Sequence, residues 1–169
     1  DGSLLAVIRT GGSDAPVVSA RSNDNGNTWS APQVIREEHS QRIVPGKFPS
    51  LCLLPNGMLV LLTSHIRNHS RIYVSPDGKG QTWSEGYAVT SQTTGNISMV
   101  GIDYDKILVI TSGYPVEYPG PDGRGVRNDP EELNWVTSRE VTITRKSLHK
   151  IDLGKKLSEG NVKVVTDLN

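Results

Sequence analysis

Apolar residues come in short runs along this chain, broken by clusters of Gly, Pro, Asn, Asp and Ser, and helical spacing is never sustained. Short runs bounded by turn residues predict strands joined by tight connections. Read in order, the pattern predicts strands over 3–8 and 16–20 with a return near 32–35. A second group follows at 49–54, 58–63, 71–74 and 87–90. A third covers 97–102, 107–111 and 140–145, with 162–165 as an outer strand. Asn56-Gly57 between two apolar runs is a strong hairpin signal, and 103–106 reads as a second tight turn. Helix-starting chemistry is confined to 129–135, where Asp129 can cap, Pro130 occupies the first turn and Glu131 and Glu132 follow. That predicts one or two helical turns inside a loop. The segment 113–138 is too long and polar for a plain connection, and loops of that length are usually functional or mobile.

Two of the turns repeat each other. Ser22-Asn23-Asp24-Asn25-Gly26-Asn27-Thr28-Trp29-Ser30 and Ser75-Pro76-Asp77-Gly78-Lys79-Gly80-Gln81-Thr82-Trp83-Ser84 share Ser-x-Asp, then Gly-x-Thr-Trp-Ser, each after an apolar segment. Asp24 and Asp77 can accept hydrogen bonds from amides just downstream. Gly26 and Gly80 supply a left-handed backbone angle without steric cost. Thr28 and Thr82 are expected to begin the return strand. Trp29 and Trp83 are expected to fold under the turn, each burying a wide apolar face. A repeat of this kind indicates stacked units.

These segments resemble the Asp-box, or bacterial neuraminidase repeat, of sialidase-like β-propellers. The stretch from Pro49 through Pro55-Asn56-Gly57-Met58 to Val60 resembles the strand pair that recurs in that family, and Asp1-Gly2-Ser3 through Arg9 looks like its second half. The resemblance implies an all-β, six-bladed β-propeller. This chain then supplies about two and a half to three four-stranded antiparallel blades, as its C-terminal half. Residues 1–36 give an incomplete first blade, 47–90 the second, and 95–146 the third with the loop 113–138, while 147–169 forms a C-terminal strand or tail. The remaining blades are expected from a missing N-terminal half or from a second chain. In that family the Asp-box is structural and lies away from the active site. Secretion or a periplasmic location is what the family suggests.

Composition narrows the function classes. Lys and Arg number 18, Asp and Glu 18, and the net charge is zero. Neither a basic patch nor an arginine-rich helix favours nucleic acid, and no apolar run approaches a membrane span. The single Cys52 excludes an intrachain disulfide and reads as a small core residue. His39, His65, His69 and His149 lack metal-ligand spacing, so neither a metal nor a cofactor is expected. Gly120 to Gly125 is glycine-rich but outside any strand–helix pattern that would make it a phosphate loop. Asn68-His69-Ser70 and Asn96-Ile97-Ser98 are glycosylation sequons, relevant only in a eukaryotic secretory protein.

Antiparallel alternation puts the Asp-boxes, Asn56-Gly57 and the 103–106 turn at one end of the sheets. The resemblance places ligand chemistry at the other end, in 9–15, 36–48, 65–70, 91–96 and 113–138. Those segments hold Arg9, Arg42, Lys47, His65, Arg67, Asn96, Tyr114, Glu117, Tyr118, Arg124 and Arg127. Arginine suits carboxylates because its planar fork binds both oxygens, although loop cations are also commonly just solvated. Tyr114 and Tyr118 either stack on a sugar ring or pack beneath their own loop. Glu117, Asp122 and Asp129 are candidate acids or solvated carboxylates.

The sialidase mechanism implied by the resemblance uses three arginines, an Asp acid/base and a Tyr nucleophile assisted by Glu, an exception among glycosidases. A tyrosine needs a neighbouring base because its hydroxyl is protonated at neutral pH. Here Asn96 stands where the Tyr is expected, and Lys47 falls near one arginine position, keeping the charge and losing the fork. The expected ligand contacts are Arg9, Lys47, Arg67, Asn96 and Tyr114. The implied function is a sialidase-like glycoside hydrolase acting on a carbohydrate, as an exo-α-sialidase or a relative with altered sugar specificity. The alternative is a non-catalytic propeller that binds carbohydrate or a protein partner.

Overall fold

The computed structural model describes residues 2–12, 14–65, 68–89, 94–113, 135–146 and 161–166. They form an all-β protein of three small antiparallel sheets. Sheet one contains β1 (Leu4–Arg9), β2 (Val17–Ser22) and β3 (Gln33–Val34). Sheet two contains β4 (Lys47–Leu53), β5 (Leu59–His65), β6 (Asn68–Ser75) and β7 (Tyr87–Ala88). Sheet three contains β8 (Thr94–Gly101), β9 (Lys106–Gly113), β10 (Trp135–Lys146) and β11 (Asn161–Thr166). Within each sheet every strand pairs with its sequence neighbour. β10 starts at Trp135, earlier than the apolar run suggests, and pairs with both β9 and β11. Residues 129–134, where a helical turn is expected, lie outside the described residues.

Sheets one and two are copies in register. Leu4 faces Ser22 and Leu59 faces Ser75. Ser19 pairs with Gln33, and Ile72 pairs with Tyr87. β1–β2–β3 therefore corresponds to β5–β6–β7. Sheet three repeats the other half of the unit, because β8–β9 shares the register of β4–β5.

The middle sheet explains its own sequence. Leu59, Val60, Leu61 and Leu62 run without polar interruption, and all four are buried. Alternate residues point to opposite faces, so this run requires cover on both sides. Leu59, Leu61, Tyr73 and Trp83 join Val17, Ile35 and Val44 in the core shared with sheet one. Val60, Leu62, Ile72 and Val74 join Ile97, Met99, Ile107, Val109, Val141 and Ile143 in the core shared with sheet three. Each such side chain contributes roughly 1.5–3 kcal/mol when fully buried. Cys52 is half-buried against this second core.

The connector from β3 to β4 ties sheets one and two together. Val44 is fully buried, its carbonyl accepts from the Val17 amide at 2.8 Å, and its amide donates to the Ile35 carbonyl at 2.9 Å. The Glu38 amide donates to the Trp83 carbonyl at 2.8 Å. Glu37 is buried, and its carboxylate accepts from the Gly86 amide at 3.0 Å and the Ser40 hydroxyl at 2.5 Å. The Ser40 amide in turn donates to Glu85 at 3.1 Å.

The two Ser-x-Asp turns share their framework of hydrogen bonds. The Ser22 hydroxyl donates to Asp24 at 2.7 Å and accepts from the Gly26 amide at 2.8 Å. The Ser75 hydroxyl donates to Asp77 at 2.7 Å and accepts from the Gly80 amide at 2.9 Å. The Ser30 and Ser84 amides close both turns at 2.8 Å onto the carbonyls of Arg21 and Val74. Gly26 and Gly80 have φ of 91° and 66°. The extra residue in the second copy redirects one bond: Asp24 accepts from the Thr28 amide, whereas Asp77 accepts from Lys79. Neither threonine starts the return strand, which begins only at Gln33 or Tyr87.

A second expectation for the turns is also corrected. Trp83 is 2% exposed, but Trp29 is 46% exposed. The cause is the neighbouring sheet. Around Gly80 lie Leu59, Trp83 and also Leu5 of sheet one, whereas around Gly26 lie only the equivalents Leu4 and Trp29.

Candidate functional site

β4 and β8 begin with the same irregularity. Lys47 pairs with Ser64 and Ser50 with Leu62, so Phe48 and Pro49 together face one residue of β5. Thr94 pairs with Gly113 and Ile97 with Thr111, so Gly95 and Asn96 face one residue of β9. A bulge of this kind bends the strand end and re-aims its side chains, and bulges concentrate next to active sites. Phe48 has φ of 50° immediately before a proline. Left-handed backbone for a bulky residue costs of order 1–2 kcal/mol, and such strain is found where surrounding structure enforces it. Gly46, with φ of 139°, makes the approach possible, because a Cβ there would lie 2.7 Å from Thr63 Cβ and 2.9 Å from the Ser64 carbonyl oxygen.

Arg9 arrives at the same end from sheet one. It is the last residue of β1, opposite Val17. The following loop is held by the Thr10 hydroxyl on the Pro16 carbonyl at 2.6 Å, and the Gly46 amide donates to the Ala15 carbonyl at 3.3 Å. Arg9 Nε donates to the Gly11 carbonyl at 2.5 Å, and its guanidinium carbon lies 5.9 Å from the Phe48 ring centroid. This cation–π contact is worth about 0.5–1 kcal/mol at an exposed site. Phe48 is 41% exposed, so ring and fork are both open to a ligand.

Of the sequence-predicted contacts, Arg9, Lys47 and Asn96 thus stand at strand ends on one side of the molecule. Lys47 is half-buried and Asn96 is exposed in the β8 bulge. β9 ends at Gly113 and β10 begins at Trp135, opposite each other at this same end. Arg67, Tyr114 and the remaining loop candidates between 114 and 134 lie outside the described residues. The opposite end carries both Ser-x-Asp turns, Asn56-Gly57 and the 103–106 turn. There the Asn56 amide donates to the Tyr104 carbonyl at 3.1 Å, and its side chain to Ile143 at 3.3 Å.

Two of the groups whose titration is displaced belong to the repeated turns. The Thr28 hydroxyl and amide, with the Ser22 hydroxyl, hold the Asp24 carboxyl down at about 2. Partial burial pushes Asp77 up, but the Lys79 amide, the Ser75 hydroxyl and the Lys79 charge outweigh it and leave the carboxyl below its ordinary value. Both aspartates are committed to their turns. Burial pushes the Tyr73 phenol up to about 12, which makes it a core residue and a poor nucleophile. Among the described residues no group of three or more His, Cys, Asp or Glu could hold a metal.

Sequence reasoning missed Phe48, whose exposure depends on a bulge, and Glu37, whose burial depends on the sheet packing over it. The single usable signal was Phe48 before Pro49 at the head of an apolar strand. Comparison with known proteins gives no matching family model and no matching curated sequence.

Proposed function

We propose that the chain belongs to a sialidase-like six-bladed β-propeller that binds carbohydrate at the end opposite its Asp-boxes. It acts there as a glycoside hydrolase, an exo-α-sialidase or a relative with altered sugar specificity. The observation that carries this reading is the pair of registered turns at one end and the gathering of Arg9, Lys47, Phe48 and Asn96 at the other. The guanidinium fork of Arg9 offers two parallel donors to a carboxylate, and the exposed Phe48 ring offers a face for a sugar ring. The remaining blades come from a preceding stretch of the protein or from a second chain, and the protein works outside the cytoplasm or in the periplasm. Stacked blades cover each other's faces, which suits the open side of sheet one, where Leu4, Ile8 and Trp29 are exposed.

Asn96 favours a second reading, a propeller that binds glycans without cleaving them, because an amide cannot serve as the glycosyl nucleophile expected at that strand start. The deciding experiment presents the full-length protein with a glycan array and a panel of sialosides and other glycosides. Release of reducing sugar that Arg9→Ala abolishes supports the hydrolase. Glycan retention without release supports the binder. Failure to retain any glycan overturns both, and leaves a protein-interaction propeller.

A further inference from the structure

Burial does not account for the backbone at Phe48. Its φ is 50°, it precedes Pro49, and it remains 41% exposed. A residue before proline prefers extended backbone, and left-handed strain in a bulky residue persists only where surrounding structure enforces it. A ring that keeps so much of its surface in water gains little from packing to offset that strain.

What the conformation achieves shows at Arg9. The guanidinium carbon lies 5.9 Å from the Phe48 ring centroid, within the range of cation–π attraction. A second contact holds the same group, because Arg9 Nε donates to the Gly11 carbonyl at 2.5 Å. The loop carrying Gly11 is itself closed, by the Ala15 amide on the Gly12 carbonyl at 3.2 Å and the Thr10 hydroxyl on the Pro16 carbonyl at 2.6 Å. Pairing of Pro16 with Pro45 and the bond from the Gly46 amide to the Ala15 carbonyl join that loop to the head of β4. Both contacts of Arg9 therefore come from one tied unit that spans sheets one and two.

The clamp leaves a defined part of Arg9 for a ligand. With Nε committed to Gly11, a two-point contact through Nε and one Nη is closed. Nη1 and Nη2 have no hydrogen-bond partner among the described residues, and Arg9 is exposed. Arginine is among the side chains that lose most freedom when ordered. Fixing it before the ligand arrives reduces that cost.

We propose that Phe48 is a positioning residue for Arg9: its bulge holds the ring against the guanidinium, so that Nη1 and Nη2 are presented as a preset end-on pair. The inference rests on the ligand-binding role proposed for Arg9 and states how the fold prepares it.

The test follows the Arg9 Nε–Hε resonance of the full chain by nitrogen-edited NMR, with glycan affinity measured beside it. In the wild type this proton should be ring-shifted and protected from exchange with solvent. Phe48→Leu should move its shift toward that of an unrestrained arginine and speed its exchange about two- to fivefold, the factor that corresponds to one exposed cation–π contact. Phe48→Tyr keeps a ring and should restore both. With a glycan that the array shows to be retained, Phe48→Leu should weaken binding by about the same two- to fivefold. Combined with Arg9→Ala it should add no further loss, as expected of two residues that act as one unit. An unmoved Arg9 resonance in Phe48→Leu overturns the proposal. So does a fully additive loss in the double variant, which would make the ring a separate ligand contact. If the wild type retains no glycan, the function proposed for this end fails, and the Arg9 resonance alone decides the positioning role.

Discussion

The tryptophans of the two turns show how far one residue's role depends on what packs over it. Trp83 and Trp29 occupy the same position in the same hydrogen-bonded turn, yet one is buried and the other half-exposed. Trp83→Ala should cost about 3–5 kcal/mol, the usual range for deleting a buried large aromatic. Trp29→Ala should cost less than half as much, and urea denaturation of the 169-residue chain measures both. The turn aspartates make a second prediction. Asp24 has a folded pKa of about 2, below the ordinary 3.8. Its carboxylate stabilises the folded state fully above the unfolded value, and that stabilisation is lost as pH falls through about 2. The urea midpoint should therefore drop between about pH 5 and pH 2. Asp24→Asn should remove some of that dependence and Asp77→Asn a further share, since both carboxyls are held low.

At the level of elements, strand positions were legible because each apolar run was short and its turn residues had a mechanism. Asn56-Gly57 and the two Ser-x-Asp turns punctuate the chain where the strands end. Burial of the whole run Leu59 to Leu62 shows that this strand is covered on both faces. What could not be read was anything set by a neighbour's position. The exposure of Trp29 follows from the side on which sheet one packs. The bulges at Phe48 and Asn96 are matters of pairing register, to which residue identity gives little access. The Arg9 end, by contrast, was legible in outline, because antiparallel alternation alone assigns turns to ends. Gly46 tests the geometry of this end. Gly46→Ala combines an unfavourable φ with contacts of 2.7 and 2.9 Å to Thr63 Cβ and the Ser64 carbonyl. It should destabilise by about 1–3 kcal/mol and displace the Phe48 bulge, measurable as lost Arg9–Phe48 ring-current shifts.

Taken whole, the molecule is polarised. The two matched turns stand at one end, and Arg9, Lys47, Phe48 and Asn96 stand at the other. β1, β4 and β8 lie side by side, so the end of β1 and the starts of β4 and β8 converge from three sheets. Residue-resolved NMR with a bound glycan identified from the array tests this most directly. Chemical-shift changes should map to Arg9, Lys47, Phe48 and Asn96 and leave Asn56, Gly57, Tyr104 and both Ser-x-Asp turns unmoved. Perturbations centred on the end that carries the Ser-x-Asp turns, with the Arg9 end silent, would contradict the account.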